Sequence, residues 1–99
     1  MPRVIRSRQA QEDLEGIFDD LDTQGSQLAD RFAEMLDEGC ERYANHPLMG
    51  ASAEEFAQNL RHFTVWKYVV FYRPTADGDG IEIIRILHGA RDLPPLFEA

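Results

Sequence analysis

The chain has 99 residues, 43% hydrophobic and 28% charged, with a formal net charge of −8 at pH 7. This is the composition of one globular domain with a single modest core, not of a disordered chain, and its acidity disfavours nonspecific nucleic-acid binding. The lone Cys40 excludes an internal disulfide, and no stretch approaches the roughly 20 apolar residues of a membrane span. The charge is unevenly placed. Residues 1–8 carry Arg3, Arg6 and Arg8, whereas residues 9–44 carry eleven acids against Arg31 and Arg42. The apolar run after Met1-Pro2-Arg3 is too short for a signal peptide, so a soluble cytoplasmic protein is the expectation.

In chain order, residues 3–7 centre on Val4 and Ile5 and read as a short strand able to pair at the edge of a later sheet. From Gln9 to Leu21, the spacing of Ala10, Leu14, Ile17, Phe18 and Leu21 puts them on one face of a helix. Ser7 is its expected N-cap, and Glu12, Asp13 and Glu15 are expected to favour the first turns through the helix dipole. Asp22-Thr23-Gln24-Gly25 breaks the pattern and reads as a four-residue link. A second helix is expected from about Ser26 to Ala44, with Leu28, Ala29, Phe32, Met35, Leu36, Cys40 and Tyr43 as its apolar stripe. Its acids read as a solvated face. Gly39 inside it, unfavourable by about 1 kcal/mol against Ala, is expected to mark a close helix–helix contact. Asn45-His46-Pro47 ends the helix, because a residue before proline resists the α conformation. The two helices form an antiparallel hairpin whose joint apolar face needs a sheet to cover.

Residues 47–59 read as a connector with Gly50, in which 54–58 is expected to form one helical turn. Residues 60–65 are a strand that turns through Trp66-Lys67 into a second one, 68–72. Val, Ile, Phe and Tyr suit both 68–72 and 81–87 to a pleated, buried surface. Between them Pro74-Thr75-Ala76-Asp77-Gly78-Asp79-Gly80 supplies the turn. The three strands make an antiparallel meander. Both faces of 81–87 are apolar, so both are expected to be covered, one by the helices and the other by the C-terminal tail or a partner. The order β-α-α-β-β-β is an α+β fold, a helical hairpin on one face of a mainly antiparallel sheet, with residues 1–99 as a single domain.

Little points to catalysis. His46, His62 and His88 are too scattered for a metal site, and Cys40 reads as a small buried hydrophobe. No Ser or Cys sits in a recognisable nucleophile setting, there is no glycine-rich phosphate loop, and no cofactor is expected. Basic residues do line the sheet: Arg61, Lys67, Arg73, Arg85 and Arg91. Arg85 interrupts an apolar strand, either to pair with a helix carboxylate at the sheet edge or to contact a ligand or partner. In His88-Gly89-Ala90-Arg91-Asp92, Gly89 permits a sharp bend, and Arg91 and Asp92 either pair locally or face a target. Leu93-Pro94-Pro95-Leu96-Phe97 is a stiff apolar tail expected to pack onto the domain.

Several motifs then fall into a known order. They are Ala10-x-x-Asp13-Leu14-x-x-Ile17 on the first helix, Pro47-x-x-Gly50 after the second, Leu60-Arg61, Tyr68-Val69-Val70-Phe71-Tyr72-Arg73, and Ile84-Arg85-Ile86-Leu87-His88-Gly89-Ala90-Arg91-Asp92. Together they resemble the RelE/ParE superfamily of toxins from bacterial toxin–antitoxin pairs, over nearly the whole chain. The C-terminal run is similar to the ParE branch. The resemblance implies a first strand joined to the three-strand meander, covered by the helical hairpin.

It also implies a choice of activity. RelE-type members are ribosome-dependent mRNA endoribonucleases with a basic second strand, an arginine just after the third-strand tyrosine, another past the fourth strand, and a C-terminal tyrosine. Here the second strand has Arg61 and His62, Val69 follows Tyr68, Arg91 matches the later arginine, and Phe97 stands in the tyrosine's place. Attack by a 2′-hydroxyl needs a base and positive charge on the scissile phosphate; valine and phenylalanine supply neither. ParE-type members lack this set and poison DNA gyrase by binding it. The implied reading is a non-enzymatic toxin, with gyrase and a cognate ParD-like antitoxin as partners in a toxin–antitoxin hetero-oligomer. Arg85, Arg91 and Asp92 are its expected target-binding residues, with no direct nucleic-acid or membrane contact. The alternative is a RelE-like ribonuclease with a degenerate site.

Overall fold

The computed structural model describes residues 2–91. The elements in order are β1 (Arg3–Arg6), α1 (Arg8–Gln24), α2 (Ser26–Asn45), β2 (Ala51–Ser52), β3 (Arg61–Val65), β4 (Tyr68–Pro74) and β5 (Gly80–His88). They form one five-stranded sheet in the order β1-β5-β4-β3-β2. The meander is antiparallel, and β1 returns parallel beside β5, with Val4 level with Ile81. The helical hairpin covers one face.

Ser7 joins the first two elements to the sheet. Its N–H donates to the Ile83 carbonyl at 2.9 Å. Its Oγ donates to the Ile84 carbonyl at 2.8 Å and accepts from Ala10 N–H at 3.0 Å, which makes it the expected N-cap. The helix therefore starts at Arg8, and its first turn holds no acid. Because the dipole effect fades beyond the first turn, Glu12, Asp13 and Glu15 do not have the role expected of them. The four-residue link is also corrected. α1 runs on to Gln24, and Gly25 alone separates the helices. At φ 154° Gly25 adopts a backbone that L side chains avoid, while its N–H closes α1 on the Leu21 carbonyl.

The main core lies between hairpin and sheet. Ala10, Leu14, Ile17 and Leu21 of α1 and Phe32 and Leu36 of α2 pack on Phe63, Val70, Tyr72, Ile81 and Ile83. Gly39 marks a close approach to the sheet, not to the other helix: a Cβ there would stand 2.7 Å from the Phe63 ring. That ring stacks on Tyr43 at 4.3 Å between centroids. The other sheet face also has a cover among the described residues, supplied by the connector. Ala53, Phe56, Ala57 and Leu60 pack against Phe71, Val69, Ile84 and Leu87. The segment 54–58, expected to form one helical turn, is a run of irregular turns, and Asn59 just past it takes φ 61° and donates its N–H to the Glu54 carboxylate at 3.2 Å. The connector also supplies β2, too short to show a period in the sequence. The tail at 93–97 lies outside the described residues.

Candidate target-binding site

β1 ends at Arg6, opposite Ile83, yet β5 runs on to His88. The far half of β5 would thus present bare backbone at the sheet edge. Asp13, one helical turn from Ala10 and Ile17, reaches this gap. Its Oδ2 accepts Ile86 N–H at 3.0 Å and Arg85 Nε at 2.8 Å, and its Oδ1 accepts Arg85 Nη2 at 3.0 Å. The fork is bidentate and charge-assisted, the stronger kind of hydrogen bond. The Arg85 and Asp13 side chains are only 16% and 15% exposed. A bulge sets this geometry. Phe71 pairs with Arg85 but Tyr72 with Ile83, so Ile84 is one residue extra on β5.

Arg85 therefore makes the ion pair with a helix carboxylate that was one of its two sequence readings. Arg91 is exposed in the turn after β5, its N–H donating to the His88 carbonyl at 3.2 Å. Between α1 and the end of β5 runs a shallow cleft whose lining includes Glu12, Asp13, Asp20, Tyr68, His88 and Arg91. Asp92 lies outside the described residues. Asp13 is the site residue whose role the sequence reading missed. The signal was present, since its helical spacing from Ala10 and Ile17 puts an acid beside the buried stripe.

Arg61 and Arg73 are turned to other work. Arg61 Nη1 donates to the Leu48 carbonyl at 3.0 Å and the Gly50 carbonyl at 2.8 Å. Arg73 Nε donates to the Gln58 carbonyl at 3.0 Å. Val69 packs in the apolar cluster of the second face. Strand register keeps Arg61 level with Tyr72 and Ile83, whereas Val65, Tyr68 and His88 share the opposite end. Arg61 is thus about 13 Å along the strands from His88, and two strands across.

Pro47-x-x-Gly50 has a structural meaning. Tyr72 is fully buried, and its hydroxyl donates to the Pro47 carbonyl at 2.7 Å and accepts Gly50 N–H at 3.0 Å. A Cβ on Gly50 would collide with that hydroxyl. Burial pushes the Tyr72 phenol above its ordinary range, against the opposing pull of the Gly50 N–H and Arg61. Among the described residues no group of three His, Cys, Asp or Glu is placed to hold a metal ion, and no helix is long and apolar enough to cross a membrane.

A helical hairpin on one face of a meander whose first strand returns parallel beside the last is a RelE/ParE-type α+β domain. The family described as "ParE toxin of type II toxin-antitoxin system, parDE" matches residues 4–93. The chain is 30% identical over 92 residues to Toxin ParE1 of Mycobacterium tuberculosis, covering 92% of this chain and 93% of that one. It is 31% identical over 94 residues to Toxin ParE3 of Caulobacter vibrioides, covering 94% and 92%. A solved structure, "Chromosomal ParDE TA system from P. aeruginosa", superposes with a TM-score of 0.71 at 23% identity, over 89% of this chain and 96% of that chain. This chain belongs to the ParE toxin family of type II toxin–antitoxin systems.

Proposed function

We propose that this chain inhibits DNA gyrase by binding it, without chemistry of its own, and is neutralised by a ParD-like antitoxin. One observation carries the choice against RNA cleavage. Where a ribonuclease of this fold needs cations on a phosphate, Arg61 is held by two loop carbonyls and Val69 lies in an apolar cluster. Stabilising a cleaved phosphate needs preorganised positive charge aimed at it. Toxins bearing the ParE name in M. tuberculosis and C. vibrioides, and a fold shared with a ParDE system, support an antitoxin partner.

In this reading the target contact is the end of β5. Arg91 and Asp92 touch the target. Arg85 acts with them as a positioning residue, clamped on Asp13 so that the turn carrying Arg91 is held in one place. Arginine is enriched at binding hot spots because its planar fork makes several hydrogen bonds at once. Two assays on the purified chain test the function: supercoiling by DNA gyrase, and primer extension on a translated message. Loss of supercoiling with no new transcript ends is expected. Cleavage in register with codons would overturn the reading in favour of the ribonuclease.

A further inference from the structure

We infer that the β3–β4 turn, Trp66-Lys67, is an anchor for gyrase that extends the contact at the end of β5; this rests on the reading of the chain as a gyrase-binding toxin. The turn has two residues, since Val65 pairs with Tyr68. Two-residue hairpin turns need positive φ, and Gly, Asn and Asp usually supply it. Here Trp66 takes φ 56°. A bulky side chain in that conformation is strained, and strain of this kind gathers at functional sites. The fold gains little in return, because Trp66 is 51% exposed. Its ring meets Tyr68 edge-on at 6.3 Å between centroids and carries the Lys67 ammonium 4.4 Å above its own centroid.

The surroundings select the partner. Between α2 and β3 runs a groove whose lining includes Met35, Glu38, Gly39, Arg42, Thr64 and Trp66. Met35 is 40% exposed, so an exposed Met and an exposed Trp share one groove. Trp and Met are enriched at protein interfaces, and Trp above all at their hot spots. The turn is also continuous with the proposed target contact. Gly89 N–H donates to the Lys67 carbonyl at 3.0 Å, two residues before Arg91. In a chain of net charge −8, residues 64–67 and 89–91 carry Lys67 and Arg91 and no acid. The matching surface on gyrase is therefore an apolar pocket for the indole, rimmed by carboxylates that face Lys67. Two copies of this chain, each at −8, repel one another on approach, and the same charge disfavours a phosphate backbone.

The test measures binding of the full chain to purified gyrase, with and without DNA, beside supercoiling inhibition, melting temperature and binding to the product of the adjoining gene. Trp66→Asn removes the indole and puts in a residue that tolerates the left-handed turn. It is expected to hold or raise the melting temperature, keep antitoxin binding, and weaken gyrase binding and inhibition about thirtyfold. Trp66→Tyr, which keeps an aromatic ring, should recover most of that loss. Lys67→Glu should weaken binding about tenfold, by an amount that shrinks as salt is raised. Unchanged gyrase binding in both Trp66→Asn and Lys67→Glu would overturn the inference and leave the gyrase reading intact. A lowered melting temperature accompanying the loss in both variants would make the turn structural and overturn it. A parallel loss of antitoxin binding would assign the turn to the antitoxin, and a loss seen only with DNA present would assign it to the nucleic acid; either result overturns it too. Failure of the unmodified chain to bind or inhibit gyrase would remove the gyrase reading itself, and the inference with it.

Discussion

The two ends of the sheet are finished by different means. At the β2–β3 end the closure is internal and dense. Tyr72 bonds to Pro47 and Gly50, Arg61 to Leu48 and Gly50, and Arg73 to Gln58, which binds the connector to the strands at many points. At the β1–β5 end the sheet is ragged. β1 stops early, one carboxylate covers the gap beside β5, and among the described residues no strand pairs with the outer edge of β1. Interaction surfaces come from regions whose polar groups and edges are not already consumed by the fold. The contrast supports the proposal that the first end serves stability and the second recognition, and each half of it can be broken by substitution.

The largest effect is expected at the closed end. Gly50→Ala drives a methyl into the buried Tyr72 hydroxyl and should cost about 3 kcal/mol in chemical denaturation. Tyr72→Phe leaves the Pro47 carbonyl and Gly50 N–H without their partner and should cost about 2 kcal/mol. The double variant should cost clearly less than the two losses added, since the hydroxyl that collides is gone. Simple additivity would show that the closure is not a coupled unit.

Next comes the carboxylate at the ragged end. Asp13→Ala strands both the Arg85 guanidinium and Ile86 N–H in a part-buried site and should cost about 2–3 kcal/mol. Arg85→Ala should cost less, because Asp13 still holds Ile86 N–H. Equal losses would mean that Asp13 matters only as the arginine's partner.

The difference between the ends also governs what the sequence disclosed. Helix stripes and the β-rich runs of the meander are periodic, and periodicity placed both helices and three strands to within a few residues. Gly25 as the entire interhelical link was hidden because Asp22, Thr23 and Gln24 look like turn residues, yet α1 continues through them until the Gly25 N–H closes it on the Leu21 carbonyl. Gly39 and Gly50 gave no hint of which ring they accommodate, since that is a long-range contact. Arg85 was visible as an arginine in an apolar strand, and pairing was one of its readings. That Asp13 would be its partner depends on how far β1 runs beside β5, which no local pattern encodes. The bulge at Ile84 is equally silent in a run of Ile and Leu.

Arg91 sharpens the contrast, because it is exposed in the turn after β5, whereas Arg85 is largely buried. Arg91→Ala is expected to change unfolding stability by no more than about 0.5 kcal/mol and to leave antitoxin binding intact. Inhibition of gyrase should weaken by roughly thirtyfold, equivalent to about 2 kcal/mol at a hot spot. Joint loss of stability and antitoxin binding would make Arg91 structural. Unchanged inhibition would remove it from the target contact.

The smallest effect reads the ragged end without disturbing it. Cys40 lies under β1 in the groove, and burial first, then Asp37, pushes its thiol up to about 11, with Arg6 pulling the other way. Thiolate is the reacting form. At pH 8 its thiolate fraction in the folded chain is then about a hundredfold below that of an ordinary thiol. Alkylation should therefore be slow in the folded chain and fast in denaturant. The sign of the linked stability follows. The folded state keeps its proton longer, so this contribution is complete below pH 9.0 and is lost as pH rises towards about 11. Tyr72, also raised, titrates in the same region, so the quantity to compare is the alkaline slope of the native chain with that of Cys40→Ala. A shallower slope in the variant is expected. If instead Cys40 alkylates in the folded chain at nearly its denatured rate, β1 is lifting from α2 and the ragged end is mobile in the folded chain.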